Sequence, residues 1–434
     1  MSATRRKFIR DTATAAAAVS IANPLRTFAN VSSTNKVNVG LIGVNGHGFN
    51  VLKYHYETGK INCAGLCDID KNRLETRAAE VLKNYGQKPK IYSDFRKMLE
   101  DKDIDAIIVA TPDHWHCLLA VYACQAGKDV YLEKPMANTI EECNIIVNAA
   151  KRYNRIVQIG QQQRSDPLWL KINRMIKEGR IGKLRKVNIW ANFVYGIGGP
   201  KKPDQPVPEG VDFNFWLGPA PLRSFNPNRF HGYWRMFWDY GGGLLTDWGV
   251  HLIDMAFWAK DIISPPENIL ASGGNFSFKD HDHETFDTLS VIFGMDDYTI
   301  TWENTSGTEN GPWNKSYGLA FIGDLATILV NRTGYKLIPE STNPEAEESE
   351  MGVKEQCYLH ADNFIECIKS RKTPNCPPET GRAVAIAVHS ANIAVRSGAG
   401  LLLWDDKTNR FTNSEEANKY IVPEYRKPWE LPLM

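Results

Sequence analysis

The order of apolar and polar segments predicts an α/β chain in two parts: a doubly wound parallel sheet first, then an α+β domain with a large, mostly antiparallel sheet. Two patterns predict it. Up to about residue 160, short β-branched runs alternate with helix-compatible stretches through short links, as in parallel strands joined by crossover helices. From 267 to 338, strand-like runs (NILASGGNFSF, TFDTLSVIF, DYTITWE, SYGLAFIGD, ATILVNR) follow one another with no helix between them. That succession points to antiparallel pairing with one face packed on helices.

The first strand is KVNVGLI, 36–42, followed by G-V-N-G-H-G, 43–48, and a helix-compatible stretch. A glycine-rich turn between strand and helix lets the backbone approach a pyrophosphate and aims the helix N-terminus at it. Gly43, Asn45, Gly46, His47 and Gly48 are therefore candidate cofactor contacts. The spacing G-x-G-x-x-G would put glycines at 43, 45 and 48, but Asn45 holds the middle place. Asparagine is the non-glycine residue that best tolerates left-handed backbone, and Gly46 beside it can supply the close approach. The second strand, INCAGLC, 61–67, ends at Asp68, 20 residues past Gly48. An acidic side chain there meets the ribose hydroxyls and repels a 2′-phosphate, which predicts NAD over NADP.

Further strands are IDAIIVA (104–110), DVYLE (129–133) and IVQIG (156–160), with a helix starting at Ile140. Ligands of doubly wound sheets bind outside the carboxyl ends of the strands. Thr111, Pro112 and His116 of T-P-D-H-W-H, and Glu133 and Lys134 of L-E-K-P, are placed there. After residue 160 come a helix over 168–178, the strand VNIWANF (187–193) and a Gly/Pro-rich loop to about 230. In G-G-G-L-L-T-D-W-G-V-H, 241–251, a glycine turn opens a helix that carries Asp247 and His251 four residues apart, on one helical face. Lys134, Asp247 and His251 are the groups needed to take a proton from an alcohol. The imidazole acts as base, the carboxylate orients it or binds an adjacent hydroxyl, and the ammonium lowers the pKa of the reacting hydroxyl and stabilises the developing alkoxide. Arg164, leaving the last strand of the first sheet, and Trp234, Arg235 and Tyr240, leading into the catalytic helix, are candidate substrate contacts. Two helices (357–371 and 379–397) and a Pro-rich tail expected to lie over the surface complete the chain.

Four stretches together, the glycine turn, T-P-x-x-x-H at 111–116, E-K-P at 133–135 and G-G-x-x-x-D-x-G-x-H at 242–251, resemble the Gfo/Idh/MocA oxidoreductases over essentially everything after residue 36. The resemblance implies a Rossmann domain (36–160) and a C-terminal α/β domain (161–434) whose open-faced sheet forms homo-oligomers. It also implies nicotinamide chemistry on a sugar or polyol, with Lys134 as catalytic lysine, Asp247 and His251 as its partners, and a cis Lys134–Pro135 peptide. Asn45 departs from the family's turn. The leading expectation is an NAD-dependent oxidoreductase of a sugar or glycoside hydroxyl. The alternative is a redox-neutral glycoside hydrolase or lyase that oxidises its substrate transiently; the intact Glu133-Lys134-Pro135 favours the first.

Composition narrows the partners. The net charge of +1, with no basic block in the body, argues against nucleic acid, and no apolar run reaches membrane-spanning length. T-R-R-K-F-I-R (4–10), an alanine-rich stretch and T-F-A (27–29) look like a twin-arginine signal over residues 1–29, which predicts a periplasmic protein exported folded. Eight cysteines fall mostly in expected strands and helices and read as buried thiols rather than a disulfide framework. D-H-D-H-E, 280–284, has metal-ligand residue types, but alternate residues of a strand point to opposite faces, and no metal is expected.

Overall fold

A computed structural model of the chain describes residues 36–343, 346–352 and 356–434; the expected export signal lies outside them. The first sheet is built from β1 (Val37–Ile42), β2 (Ile61–Cys67), β3 (Lys90–Tyr92), β4 (Ala106–Val109), β5 (Asp129–Leu132) and β6 (Val157–Ile159). All pairings are parallel, in the order β3-β2-β1-β4-β5-β6. Strands β4 and β5 are buried along their whole length, which is why they read as unbroken apolar runs. Helices α1 (His47–Glu57), α2 (Lys71–Tyr85), α3 (Phe95–Leu99), α4 (His116–Gln125) and α5 (Ile140–Arg152) make the crossovers. Local chemistry sets their ends. Asp70 caps α2 by accepting from the amides of Asn72 and Arg73, and Gly86 closes that helix in the left-handed region.

In the second part, α6 (Pro167–Lys177) is followed by β7 (Lys186–Ala191), a two-residue β8 (Gly199–Pro200), α7 (Phe213–Leu217), a π turn at Leu245–Gly249 and α8 (Val250–Ala259). Then come β9 (Asn268–Gly274), β10 (His281–Asp282, paired with β8), β11 (Thr288–Gly294), β12 (Thr299–Thr305), β13 (Tyr317–Ile322), β14 (Ala326–Asn331), β15 (Gly334–Pro339) and β16 (Glu348–Met351). Helices α9 (Cys357–Ser370) and α10 (Pro378–Arg396), strands β17 (Leu401–Asp405) and β18 (Arg410–Phe411) and the short α11 (Glu415–Asn418) close the order. The large sheet runs β16-β15-β14-β13-β7-β12-β11-β9-β17-β18 and is antiparallel except where β7 meets β12. Burial alternates along β9, β11 and β12 because α6, α8 and α10 cover only one face. No described helix is long and apolar enough to cross a membrane.

The structure departs from the sequence expectation in three ways. Strands β3 and β17, one a three-residue edge and the other a short run behind Gly398 and Gly400, escape a periodicity reading. The division at 160/161 does not separate the packing: Phe364, Ile365 and Ile368 of α9 return to the core of the first sheet beside Val37, Val39 and Leu41. The Pro-rich tail lies over the surface for most of its length but is also anchored, since Trp429 packs into the cluster around Phe95 and Trp115. All eight cysteines are free, and seven are buried.

Candidate active site

The glycine turn after β1 is tight for a steric reason. A Cβ on Gly48 would lie 2.0 Å from the Gly43 carbonyl oxygen, and one on Gly43 2.5 Å from that of Ala110. Positive φ falls on Gly43 (88°) and Gly46 (47°), and Asn45 does not use the left-handed tolerance of its residue type. The Asn45 side chain instead meets the His231 ring at 3.0 Å. Helix α1 begins at His47 with no side-chain cap and no acid in its first turn, which leaves its N-terminal N–H groups for an anion. Asp68, at the end of β2, accepts from the Val44 amide at 2.8 Å and the Asp70 amide at 3.0 Å.

A cavity of about 430 Å³ runs from this turn and Asp68 past Thr111 and Pro112 to Glu133 and Lys134. Its far wall comes from the second domain, where Trp216, His231, Trp234 and Arg235 face the glycine turn. The Thr111 hydroxyl is buried without a partner. An uncapped helix start, an acid at the second strand's end and an unsatisfied hydroxyl along one cavity fit a dinucleotide. His47 Nε2 lies 3.3 Å from Glu133 Oε2, bridging the turn to the E-K-P stretch. Burial alone would raise the Glu133 carboxyl, but His47 and Lys134 outweigh it and hold it below its ordinary range.

Lys134 leaves β5 through a cis peptide to Pro135, and its Nζ donates to Asp247 Oδ1 at 2.6 Å and to the Asp247 carbonyl at 2.9 Å. The other carboxylate oxygen accepts from the Tyr195 hydroxyl at 2.7 Å, and Arg235 Nε approaches Oδ1 at 3.3 Å. Burial raises the Asp247 carboxyl, yet the Lys134 and Arg235 charges override it and keep it ionised far below the usual carboxylate range. Asp247 sits in the π turn that precedes α8, a widened geometry frequent at functional sites. Gly243, at φ 73°, makes the approach, since a Cβ there would come within 2.6 Å of Thr285.

The expected pairing of Asp247 with His251 on one α-helical face is therefore corrected. The carboxylate is spent on Lys134, Tyr195 and Arg235, and His251 Nδ1 is buried with no partner. Burial, followed by the nearby Lys134 and Arg332 charges, pushes the imidazole well below its ordinary value, so it is neutral at neutral pH.

Three expected contacts lie elsewhere. Both ring nitrogens of His116 face carbonyl oxygens, Pro135 at 2.7 Å and Thr111 at 3.0 Å, so this histidine ties two cavity-lining loops together from behind the wall. Arg164 does not line the cavity: it forms a bidentate pair with Asp254, which is fully buried. Tyr240 is packed in an aromatic cluster with Trp216, because the chain turns inward before the glycines. Trp234 and Arg235 do line the cavity, stacked with the guanidinium 4.2 Å from the ring centroid. Tyr195 escapes a sequence reading because it lies in an irregular loop 52 residues from its partner. Among the described residues, no group of three or more His, Cys, Asp or Glu is placed to hold a metal.

A family model described as "Oxidoreductase family, NAD-binding Rossmann fold" matches residues 37–161, and "Oxidoreductase family, C-terminal alpha/beta domain" matches 170–271. A glycosyl hydrolase family 109 protein of Shewanella baltica is 29% identical over 152 residues, 34% of this chain and 33% of that protein. Inositol 2-dehydrogenase 2 of Saccharopolyspora erythraea is 34% identical over 161 residues, 36% of this chain and 45% of that one. The similarity thus spans less than half the length of these curated relatives. Levoglucosan dehydrogenase, solved with NADH and levoglucosan, shares the fold with a TM-score of 0.66 at 19% identity, over 85% of this chain and 99% of that one. With the two family models together spanning just over half of its length, the chain belongs to the Gfo/Idh/MocA oxidoreductases, a NAD-binding Rossmann domain joined to a C-terminal α/β domain.

Proposed function

We propose that this protein is an NAD-dependent oxidoreductase that moves hydride between a sugar or glycoside CH–OH and a nicotinamide cofactor. One observation carries the reading: Lys134 opens onto the cofactor cavity while held at 2.6 Å by Asp247, with the neutral His251 one turn further on. Bound nicotinamide supplies the hydride acceptor. The Lys134 ammonium lowers the pKa of a hydroxyl beside it, and His251 takes the proton, which a neutral imidazole can do and an imidazolium cannot. Asp247 fixes Lys134, and Tyr195 and Arg235 fix Asp247. The test is incubation of the purified protein with a glycoside panel, following NADH absorbance and the products. A keto-sugar formed with cofactor reduction supports the reading. A cleaved glycoside without net reduction moves it to the alternative, a redox-neutral glycoside hydrolase or lyase, with which the similarity to the family 109 proteins is compatible.

Asp68 supports NAD over NADP, because a 2′-phosphate would face a carboxylate with Asp70 close behind it. Asp68→Ala is expected to narrow the preference by about tenfold, the scale of one lost charge interaction. Fluorescence titration with both cofactors reads it, and tighter NADP binding by the wild type would end the assignment.

The pH dependence carries a sign. A histidine held below 6.5 is unprotonated from that pH upward, so the acid limb of kcat/KM is expected well below pH 6.5. A half-drop at pH 6.5 in the profile would show that His251 is not the titrating base.

Two further assignments belong to the same reading. Leu401, Leu270 and Ile292 are direct cross-strand neighbours, all exposed on the outer face of the large sheet, which supports a homo-oligomer formed through that face. Light scattering that finds a monomer at working concentration removes it. The twin-arginine stretch supports export to the periplasm. N-terminal sequencing of the native protein tests it, and an uncleaved Met1 in cytoplasmic material would remove it.

A further inference from the structure

The aromatic end of the cofactor cavity is closed by parts of the chain that are remote from the Rossmann motifs. Asp68 marks where an adenosine ribose would be held, and the cavity continues from it to Phe95, Trp115 and Leu119. Over these lie Phe215 and Trp216 of α7, from the second domain. The Trp216 carbonyl accepts from the Trp115 indole at 2.9 Å, and only glycine fits at 218 because a Cβ there would strike the Trp115 ring at 2.2 Å. Phe95 and Phe215 lie stacked, ring centroids 5.9 Å apart. Planar apolar walls beside a ribose-binding acid suit a purine, since base–aromatic stacking is independent of hydrogen-bond pattern.

This roof is held from outside by the C-terminal segment. Arg426 spends its guanidinium on the carbonyls of Gly218 (3.1 Å), Ala220 (3.0 Å) and Asn214 (2.9 Å) and on the Asn214 side chain (2.9 Å), while its own amide donates to Pro219 (2.8 Å). Trp429 stands against three of the cavity's aromatics: Trp115 at 4.9 Å, Phe215 at 5.7 Å and Phe95 at 6.2 Å. Tyr425 donates to the buried Glu142 carboxylate, which pins the segment to the Rossmann domain. A second strap crosses the glycine turn, where His231 contacts Asn45 at 3.0 Å.

We propose that Phe95, Trp115, Phe215 and Trp216 form an adenine clamp, and that Arg426 and Trp429 latch it shut, so that the dinucleotide leaves only when the C-terminal segment lets go. The inference rests on the reading of the cavity as a dinucleotide site. With the roof latched, dissociation is slow compared with turnover, and the protein keeps its nucleotide through purification.

The experiment frees the full chain of resident nucleotide by unfolding and refolding, loads it with radiolabelled NAD and chases with unlabelled NAD. Release is expected to quicken by about tenfold or more in Trp429→Ala and Arg426→Ala, and to return to the wild-type rate in Trp429→Phe, since changes at one interface act mainly on the off-rate. Circular dichroism verifies that the variants are folded. Hydrogen exchange on the wild type gives a reading that needs no variant: residues 213–220 and 425–431 are expected to gain protection when NAD binds. Equal release from all folded variants, or no change in exchange at either segment, overturns the latch while leaving the function standing. A wild type that binds no NAD overturns both.

Discussion

Lys134→Ala is expected to lower kcat by about 10²-fold or more, the scale of a general acid–base or oxyanion-stabilising group, with NAD binding retained. Asp247→Asn is expected to be nearly as severe. The carboxylate is the charged partner of the Lys134 ammonium, accepting from it at 2.6 Å beside the Asp247 carbonyl at 2.9 Å while also bonding Tyr195 and Arg235. An amide of the same shape carries no charge and turns a donor toward one of these three donors. His251→Ala removes the proton acceptor and is expected to fall in the same range. Tyr195→Phe should be milder, about tenfold, since one hydrogen bond to a charged group is lost while the charge pair stays. Steady-state kinetics on the identified substrate, with cofactor affinity measured separately by fluorescence, separates these outcomes. A near-normal kcat for Asp247→Asn would show that the lysine does not depend on its carboxylate.

The other large effect concerns stability. Arg164 donates from Nε at 2.9 and 3.0 Å and from a terminal nitrogen at 2.7 Å to Asp254, and the acid has no solvent exposure at all. Asp254→Ala would leave a guanidinium buried without its counter-charge, and is expected to destabilise by about 3–5 kcal/mol. Replacing both partners, Arg164→Met with Asp254→Leu, should recover most of that loss, because desolvation of the pair offsets much of its attraction. Urea unfolding reads both. Asp254 lies three residues after His251 on α8, so the single variant should also lower kcat by loosening the helix that presents the imidazole. Equal stability of the single variant and the wild type would mean the pair is dispensable.

The two-layer plan was legible because its signals are local. Buried parallel strands read as apolar runs, half-buried antiparallel strands alternate, and the glycines at 43, 46 and 48 answer to a turn that no Cβ fits at 43 and 48. Lys134 and Asp68 could be singled out because each stands just past the carboxyl end of a buried strand, where side chains reach a cleft, and Asp247 because of its place between the glycines and His251.

How these groups are wired was not legible. Spacing of four residues implied a shared α-helical face for Asp247 and His251. A π turn, two residues after the close approach of Gly243 to Thr285, carries the carboxylate to Lys134, 113 residues away in sequence, and to Tyr195. Arg164, Tyr240 and His116 have the residue types of a polar site, yet whether such a group faces a cavity or a buried partner depends on which remote element lies over it. For Arg164 that element is α8, and for His116 it is the loop at Pro135. The roof over the Rossmann cavity is the extreme case, since Phe95, Phe215 and Trp429 come from three distant segments that no periodicity connects. Elements and their turns follow from short-range sterics and hydropathy, which one chain segment carries by itself. Partnership among side chains follows from burial against segments hundreds of residues apart, and only the packed chain specifies it.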